Sequence, residues 1–344
     1  MLAMLFAKAY LVAEIGINHN GDVNLAEEMI HAAAQAGADA VKFQNYRTED
    51  FLSDRSLEYT YLSQGREVNE PQFDMFKRCE LSRADLGRLK KACDSAGVEF
   101  FSTPTGVDGI KELSEIGATW IKNGSDYLGH LPLIREMARS GIPTILSTGM
   151  ALEEEITEAV EAFREAGGGD LVLLACTSAY PAPSDSLHLR RITTLAKMYG
   201  CPAGFSDHSA GWEAAVASVC VGACMVEKHF TTDRHLPGPD QWFSSTPEEF
   251  AELVRRVRGA EEMLGCGDLR PTRAEAQARE NFRLSCTAAR DLTAGSILKV
   301  EDISFLRPAT GLPPSKLESL IGHCLVADIQ KGEAFQPSHI EIQP

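Results

Sequence analysis

The chain has 344 residues, 44% hydrophobic and 24% charged, which is ordinary globular composition and long enough for one large α/β domain plus a smaller unit. Its net charge of −16 argues against a nucleic-acid surface, which needs a basic field, and leaves any anionic substrate to a few local cations. It has no apolar run of the ~18 residues a spanning helix needs, so no membrane partner is expected, and nine scattered cysteines without a CxxC pair suit reduced thiols in a cytoplasmic protein.

In chain order, the apolar stretch Met1–Lys8 is short and lacks a basic start, so it reads as a loose lead into a strand, not a signal peptide. From there to about residue 264, short β-rich runs alternate with amphipathic helical stretches. Strands are expected at Leu11–Ile17, Asp39–Gln44, Glu99–Pro104, Thr119–Gly124, Pro143–Gly149, Leu171–Ser178, Pro202–His208 and Met225–Thr231. Helices are expected at Asn24–Gln35, Arg83–Ser95, Val107–Ile116, Leu131–Arg139, Glu153–Glu165, Ser186–Met198 and Pro247–Leu264. The strands are nearly continuous in apolar residues, as when both faces of a sheet are covered. Eight βα units in about 250 residues fit a closed (β/α)8 barrel of the TIM type. An open doubly wound sheet is the rival, but no GxGxxG fingerprint follows the first strand.

Residues 45–80 are too many for a standard strand–helix connection and read as an excursion beside an active site. Residues 265–280 are polar and rich in Arg and Glu, a partly helical linker. Turn signals at Asp291–Gly295, Arg307–Gly311 and Gln330–Glu333 then mark a small β-rich unit. The expected division is a catalytic barrel at 1–264, a linker at 265–280 and the small domain at 281–344.

Functional groups of a (β/α)8 barrel gather at the C-terminal ends of its strands. A charged side chain inside an apolar strand carries a large desolvation penalty unless something binds it. Glu14, Lys42, Lys122 and Glu227 break that rule on four separate strands, which makes them candidate catalytic residues. Lys42 and Lys122, with hydroxyls at Thr103, Ser125, Ser147 and Ser206, suit a phosphate cradle of point charges and oriented donors. The structural alternative is a Lys–Glu pairing with Glu14 across the barrel. His208 and His229 end adjacent strands about 5 Å apart, so their imidazoles can share one divalent metal such as Mn2+.

Eight motifs in order, AEIGINHNG (13–21), VKFQ (41–44), FSTP (101–104), ILSTGM (145–150), CTSAYPAP (176–183), FSDH (205–208), VEKHFT (226–231) and PGPD (237–240), resemble those of the sialic acid synthase family. The C-terminal unit is similar to the antifreeze-like (SAF) domain that ends these enzymes. The resemblance implies a transferase that condenses phosphoenolpyruvate with an N-acetylated mannose-type aldose, giving a nine-carbon 2-keto acid and phosphate. It implies that Lys42, Thr103, Lys122, Ser125, Ser147 and Ser206 bind phosphoenolpyruvate and that His208 and His229 hold the metal. Asp240 and Tyr180 then shape the sugar site. Arg307 reaches from the small domain of one subunit into the partner's barrel, in a domain-swapped homodimer. Glu14 serves as base or as electrostatic stabiliser, and Glu227 backs the metal site.

Three departures from the family pattern lie near the expected sugar pocket. Tyr127 stands where a Glu is usual, Ala175 where His is frequent, and Gln241–Ser244 (QWFS) replaces a small polar run. They leave open a related synthase of the legionaminic or pseudaminic type, which takes a diacetamido-trideoxy hexose. Further alternatives are a metal-dependent sugar isomerase, which needs no phosphate cradle, and a carbohydrate-binding protein on a decayed barrel, against which the intact Lys42, Lys122, His208 and His229 set argues.

Overall fold

The computed structural model describes residues 7–340; most of the apolar opening stretch, Met1–Phe6, lies outside the described residues. The chain divides into two compact units, at Gly265 and Cys266.

Among the described residues the first unit has ten strands. They are β1 (Tyr10–Gly16), β2 (Ala40–Asn45), β3 (Glu58–Ser63), β4 (Arg66–Pro71), β5 (Glu99–Pro104), β6 (Trp120–Asn123), β7 (Thr144–Ser147), β8 (Leu171–Cys176), β9 (Ala203–Asp207) and β10 (Met225–His229). Eight of them close a parallel barrel in the order β1-β10-β9-β8-β7-β6-β5-β2. This is the expected (β/α)8 architecture.

Strand alternation sorts the side chains into two cores. Leu11, Ala13 and Ile15 of β1, Val41 and Phe43 of β2, Phe205 of β9 and Val226 of β10 join the buried shell beneath the helices. Val12, Ala40, Phe101, Trp120, Ile145, Val172, Leu174 and Met225 fill the lower lumen. One step further along each strand the inward series turns polar, which sets a reactive layer on an apolar plug.

Helix ends follow local chemistry. Ser82 and Asp85 form a reciprocal capping box at Arg83–Ala96, and Thr246 with Glu249 does the same for Pro247–Leu264. The expected helix at Ser186–Met198 instead begins at Arg190, after a short 3-10 turn at Ser184–Ser186. The reason is local: His188 has φ +45°, which a continuous helix does not allow. The excursion at 45–80 holds the antiparallel hairpin β3–β4, whose two-residue turn puts Gln64 and Gly65 at φ +53° and +73°. Ser63 Oγ accepts from Gly238 N at 3.1 Å and Gln64 Nε2 donates to the His235 carbonyl at 2.8 Å, so the hairpin tip is tied to the loop after β10.

The second unit pairs β11 (Ser285–Ala288) with β12 (Ile303–Leu306), antiparallel, over a small core that includes Leu298, Leu320, Leu325, Ile329 and Phe335. A helix at Ala276–Phe282 runs across the boundary expected at 280. Among the described residues no helix is long and apolar enough to cross a membrane, and all nine cysteines are free thiols.

Candidate active site

The polar layer opens into a cavity of about 770 Å³ at the C-terminal end of the barrel. Glu14, Lys42, Thr103, Lys122, Ser125, Tyr127, Ser147, Tyr180, Ser206, His208, Glu227, His229 and Asp240 all line it. Of the residues singled out from the sequence, Arg307 alone lies in the second unit, where its guanidinium sits over the Phe282 ring at 5.3 Å.

Two lysines and two glutamates form the floor, each at most 6% exposed. Lys42 Nζ meets Glu14 Oε1 at 2.8 Å, between neighbouring strands whose register places the two residues side by side. Lys122 Nζ donates to Glu227 Oε1 at 2.7 Å across the lumen, and Lys42 stands 3.9 Å from Glu227 Oε2. The Glu14 pairing expected as the structural alternative is therefore present, but between adjacent strands. The pairing that spans the barrel belongs to Lys122 and Glu227.

The electrostatics separate the two acids. Burial pushes both carboxyls up, but Lys122 and Lys42 outweigh it at Glu227, which is held down to about 2. At Glu14 burial prevails over Lys42 and the carboxyl rises to about 7. Burial also works against the Lys122 ammonium, yet Glu227 and Glu14 hold it above the usual lysine value. Glu14 Oε2 and Glu227 Oε2 are buried with no hydrogen-bond partner.

Around this floor Lys42 Nζ donates to Thr103 Oγ1 at 3.3 Å, Ser206 Oγ to Glu227 Oε1 at 3.1 Å, and Ser125 Oγ to Ser147 Oγ at 3.0 Å. Gly149 N donates to Ser125 Oγ at 3.0 Å; a Cβ at that glycine would stand 2.4 Å from Ser178 Oγ and displace the hydroxyls around it.

His208 and His229 face each other with ring centroids 5.4 Å apart. His208 Nδ1 lies 3.0 Å from the Thr177 carbonyl, which assigns the proton there and turns Nε2 toward the cavity side, 3.4 Å from Ser206 Oγ. His229 Nδ1 is buried without a hydrogen-bond partner, and Asp240 Oδ2 stands 3.8 Å away. Burial, then the positive charge around His208, drives the His229 ring well below the ordinary imidazole value, which keeps it neutral. Burial raises Asp240 to about 6 against His208 and Lys42.

Among the described residues no three His, Cys, Asp or Glu side chains converge on one point. Two facing imidazoles, of which His208 is oriented by the Thr177 carbonyl behind it, fit an open metal site whose other positions go to substrate or water. They do not fit a closed structural one.

Sequence reasoning passed over two neighbours. Gln44 is the next inward residue after Lys42, and its Nε2 approaches Glu14 Oε1 at 3.5 Å. Cys176 is the last inward position of β8, with Sγ 3.7 Å from His208 Nδ1. Burial raises that thiol, but His208 outweighs it and holds it at about 7. Counting by two along β2 and β8 would have found both. An aromatic rim joins residues expected near the sugar pocket, Tyr127, Tyr180, Trp242 and Phe243, to others that were not, Tyr59, Tyr61 and Leu62. Phe243 packs on Tyr180 and His229 with centroids at 5.2 and 5.0 Å, and Trp242, Tyr59, Tyr61 and Leu62 continue the wall. Tyr127 is half-buried in the same rim, its ring stacked on His130 at 5.9 Å.

Two protein-family models match the chain, the NeuB family over residues 29–268 and the SAF domain over residues 285–341. The chain is 37% identical over 336 residues to the N,N'-diacetyllegionaminic acid synthase of Legionella pneumophila, covering 96% of this chain and 94% of that protein. It is 32% identical over 331 residues to the pseudaminic acid synthase of Campylobacter jejuni, covering 96% of each. The N-acetylneuraminic acid (sialic acid) synthetase of Leptospira borgpetersenii, solved in complex with citrate, matches with a TM-score of 0.72 and 35% identity, over 79% of this chain and 90% of that one.

Proposed function

The chain belongs to the NeuB family, and from that premise we propose that it condenses phosphoenolpyruvate with an acetamido aldose to a nine-carbon 2-keto acid, releasing phosphate. One observation carries the proposal: two buried Lys–Glu pairs and two facing histidines line a single cavity. An isomerase needs no phosphate cradle.

Lys42 and Lys122 bind the carboxylate and phosphate of phosphoenolpyruvate, helped by the hydroxyls of Thr103, Ser125, Ser147 and Ser206. Glu227 stays ionised between the two ammonium groups and holds their positions. Glu14 has an unpartnered oxygen and a carboxyl near neutrality, so it accepts the proton of the water that adds at C2. His208 and His229 would hold a divalent metal, for which Mn2+ is the proposed ion, with Asp240 beside them. Such an ion supplies Lewis-acid polarisation of the aldehyde oxygen. Asp240 and Tyr180 orient the sugar.

Two acceptors are in question, an N-acetylated mannose-type aldose and a 2,4-diacetamido-trideoxy hexose. The rim favours the second. Tyr127, Trp242, Phe243 and Leu62 offer apolar area to a deoxygenated, diacylated ring, beside the carboxylates of Asp126 and Asp240 that line the same cavity. The test presents both sugars with phosphoenolpyruvate and Mn2+, reading products by mass spectrometry and released phosphate by colour. A 2-keto acid from either sugar supports the reaction; phosphate release without sugar, or none at all, overturns it.

Arg307 is proposed to complete the sugar site of a second copy in a homodimer. Mixing inactive Arg307→Ala and His229→Ala proteins under subunit exchange then restores up to about half the activity of a wild-type dimer, since one site keeps both residues. No recovery after exchange removes Arg307 from a shared site.

A further inference from the structure

Behind the two histidines lies a third buried ion pair, one that faces away from the cavity. Strands β9 and β10 run side by side, with Phe205 opposite Val226 and Asp207 opposite Lys228. All four point outward from the lumen. The first rung is apolar and belongs to the shell under the helices. The second, one step nearer the site, is charged, though its side chains are 0% and 5% exposed.

The geometry there is closed. Lys228 Nζ donates to Asp207 Oδ2 at 2.9 Å and to the Ser209 carbonyl at 2.7 Å. Asp207 Oδ1 accepts from Ser209 N at 2.8 Å and from Ser209 Oγ at 2.6 Å. Neither Asp207 nor Lys228 is among the residues lining the cavity, so the pair has no substrate to touch.

A buried ion pair is a poor means of adding stability, because an apolar pair of similar volume does as well or better. What it adds over an apolar contact is direction, since its bonds hold only at set distances and angles. Here those bonds join β9, the turn after it and β10. His208 directly follows Asp207 and His229 directly follows Lys228, so the rung that carries the pair is the last before both imidazoles. We propose that the Asp207–Lys228 pair is a positioning clamp that sets the spacing and aim of His208 and His229. The proposal rests on the reading of those histidines as metal-holding residues.

The test titrates Mn2+ into the metal-free full-length protein, following the free ion by electron paramagnetic resonance and folding by thermal midpoint. The double variant Asp207→Leu with Lys228→Met replaces the clamp by an apolar pair. It is expected to fold with a similar midpoint and to bind Mn2+ about 10- to 100-fold more weakly, the usual cost of losing outer support at a metal site. Asp207→Glu keeps both charges and lengthens one arm, and is expected to weaken Mn2+ as well; it decides alone if the double variant does not fold. A merely structural pair would move the midpoint and leave Mn2+ affinity where it was. Unchanged affinity in the folded variants, with His208→Ala abolishing binding, overturns the clamp alone. No Mn2+ binding by the wild type, or wild-type affinity in His208→Ala, overturns the metal reading and the clamp with it.

Discussion

Asp207 on the outer face of the barrel wall has both carboxylate oxygens hydrogen-bonded, whereas Glu14 and Glu227 on the inner face each keep one oxygen without a hydrogen-bond partner. The residue types and the degree of burial are alike; only the accounting of polar atoms differs. An unmatched buried acceptor costs about 1–3 kcal/mol, so a fold under no other demand would pair it. On the proposed function, the substrate supplies the missing partners. Buried charge that is fully paired therefore reads as scaffold, and buried charge left part-paired reads as a place where something binds.

Four experiments break or sharpen that contrast, beginning with the largest effect. His229→Ala, or chelation of the wild type, is expected to lower kcat roughly a thousandfold, the scale of several kcal/mol of lost charge stabilisation. The thermal midpoint should hold, and Mn2+ should restore only the chelated wild type. Full turnover after exhaustive chelation would remove the metal from the inner group.

The next compares Lys122→Met with Lys228→Met. On the inner face Glu227 keeps Lys42 nearby, so the fold should survive while the KM for phosphoenolpyruvate rises about 10- to 100-fold, the worth of a charged hydrogen bond. The KM for the sugar should change little. On the outer face Asp207 loses its counter-ion, and stability should fall by about 3–5 kcal/mol, read by denaturant titration. The reverse pattern would abolish the distinction between the two groups.

Third, pH acts on the inner group through Glu14. Below about 7 its carboxyl is protonated and the two lysines outnumber the remaining carboxylate; above that value the four charges cancel. The KM for phosphoenolpyruvate is therefore expected to rise as pH increases through neutrality, by up to about tenfold, one pKa unit's worth of interaction. Glu14→Gln should flatten the profile, and an unchanged slope in that variant would assign the effect elsewhere.

The smallest effect belongs to the half-exposed rim, where water competes with every contact. Tyr127→Glu is expected to shift selectivity a few-fold toward N-acetylmannosamine, measured as the ratio of kcat/KM for the two sugars. Unchanged selectivity would show that Tyr127 does not face the acceptor.

Much of this was legible before folding. The eight barrel strands fall within two residues of their expected ends, because runs covered on both faces are apolar throughout and end in turn residues. Helix Glu213–Cys220 was missed because its small apolar side chains, such as Ala214, Ala215, Ala217 and Val219, give no polar stripe to set a helical period. The hairpin was missed because its strands carry Glu58, Arg66, Glu67 and Glu70 and turn on Gln64–Gly65 in place of the usual Asn–Gly.

The site divides in the same way. Sequence by itself determined that Glu14, Lys42, Lys122, Glu227, His208 and His229 point inward near the strand ends, since alternation along a strand is a local property with period two. It could not say which acid meets which base. Lys122 and Glu227 are 105 positions apart, on strands that are not neighbours in the barrel. Their meeting depends on how eight tilted strands close around the lumen. Tertiary structure alone decided it, because a distance across a closed barrel is set by the whole ring of strands and written in no single segment.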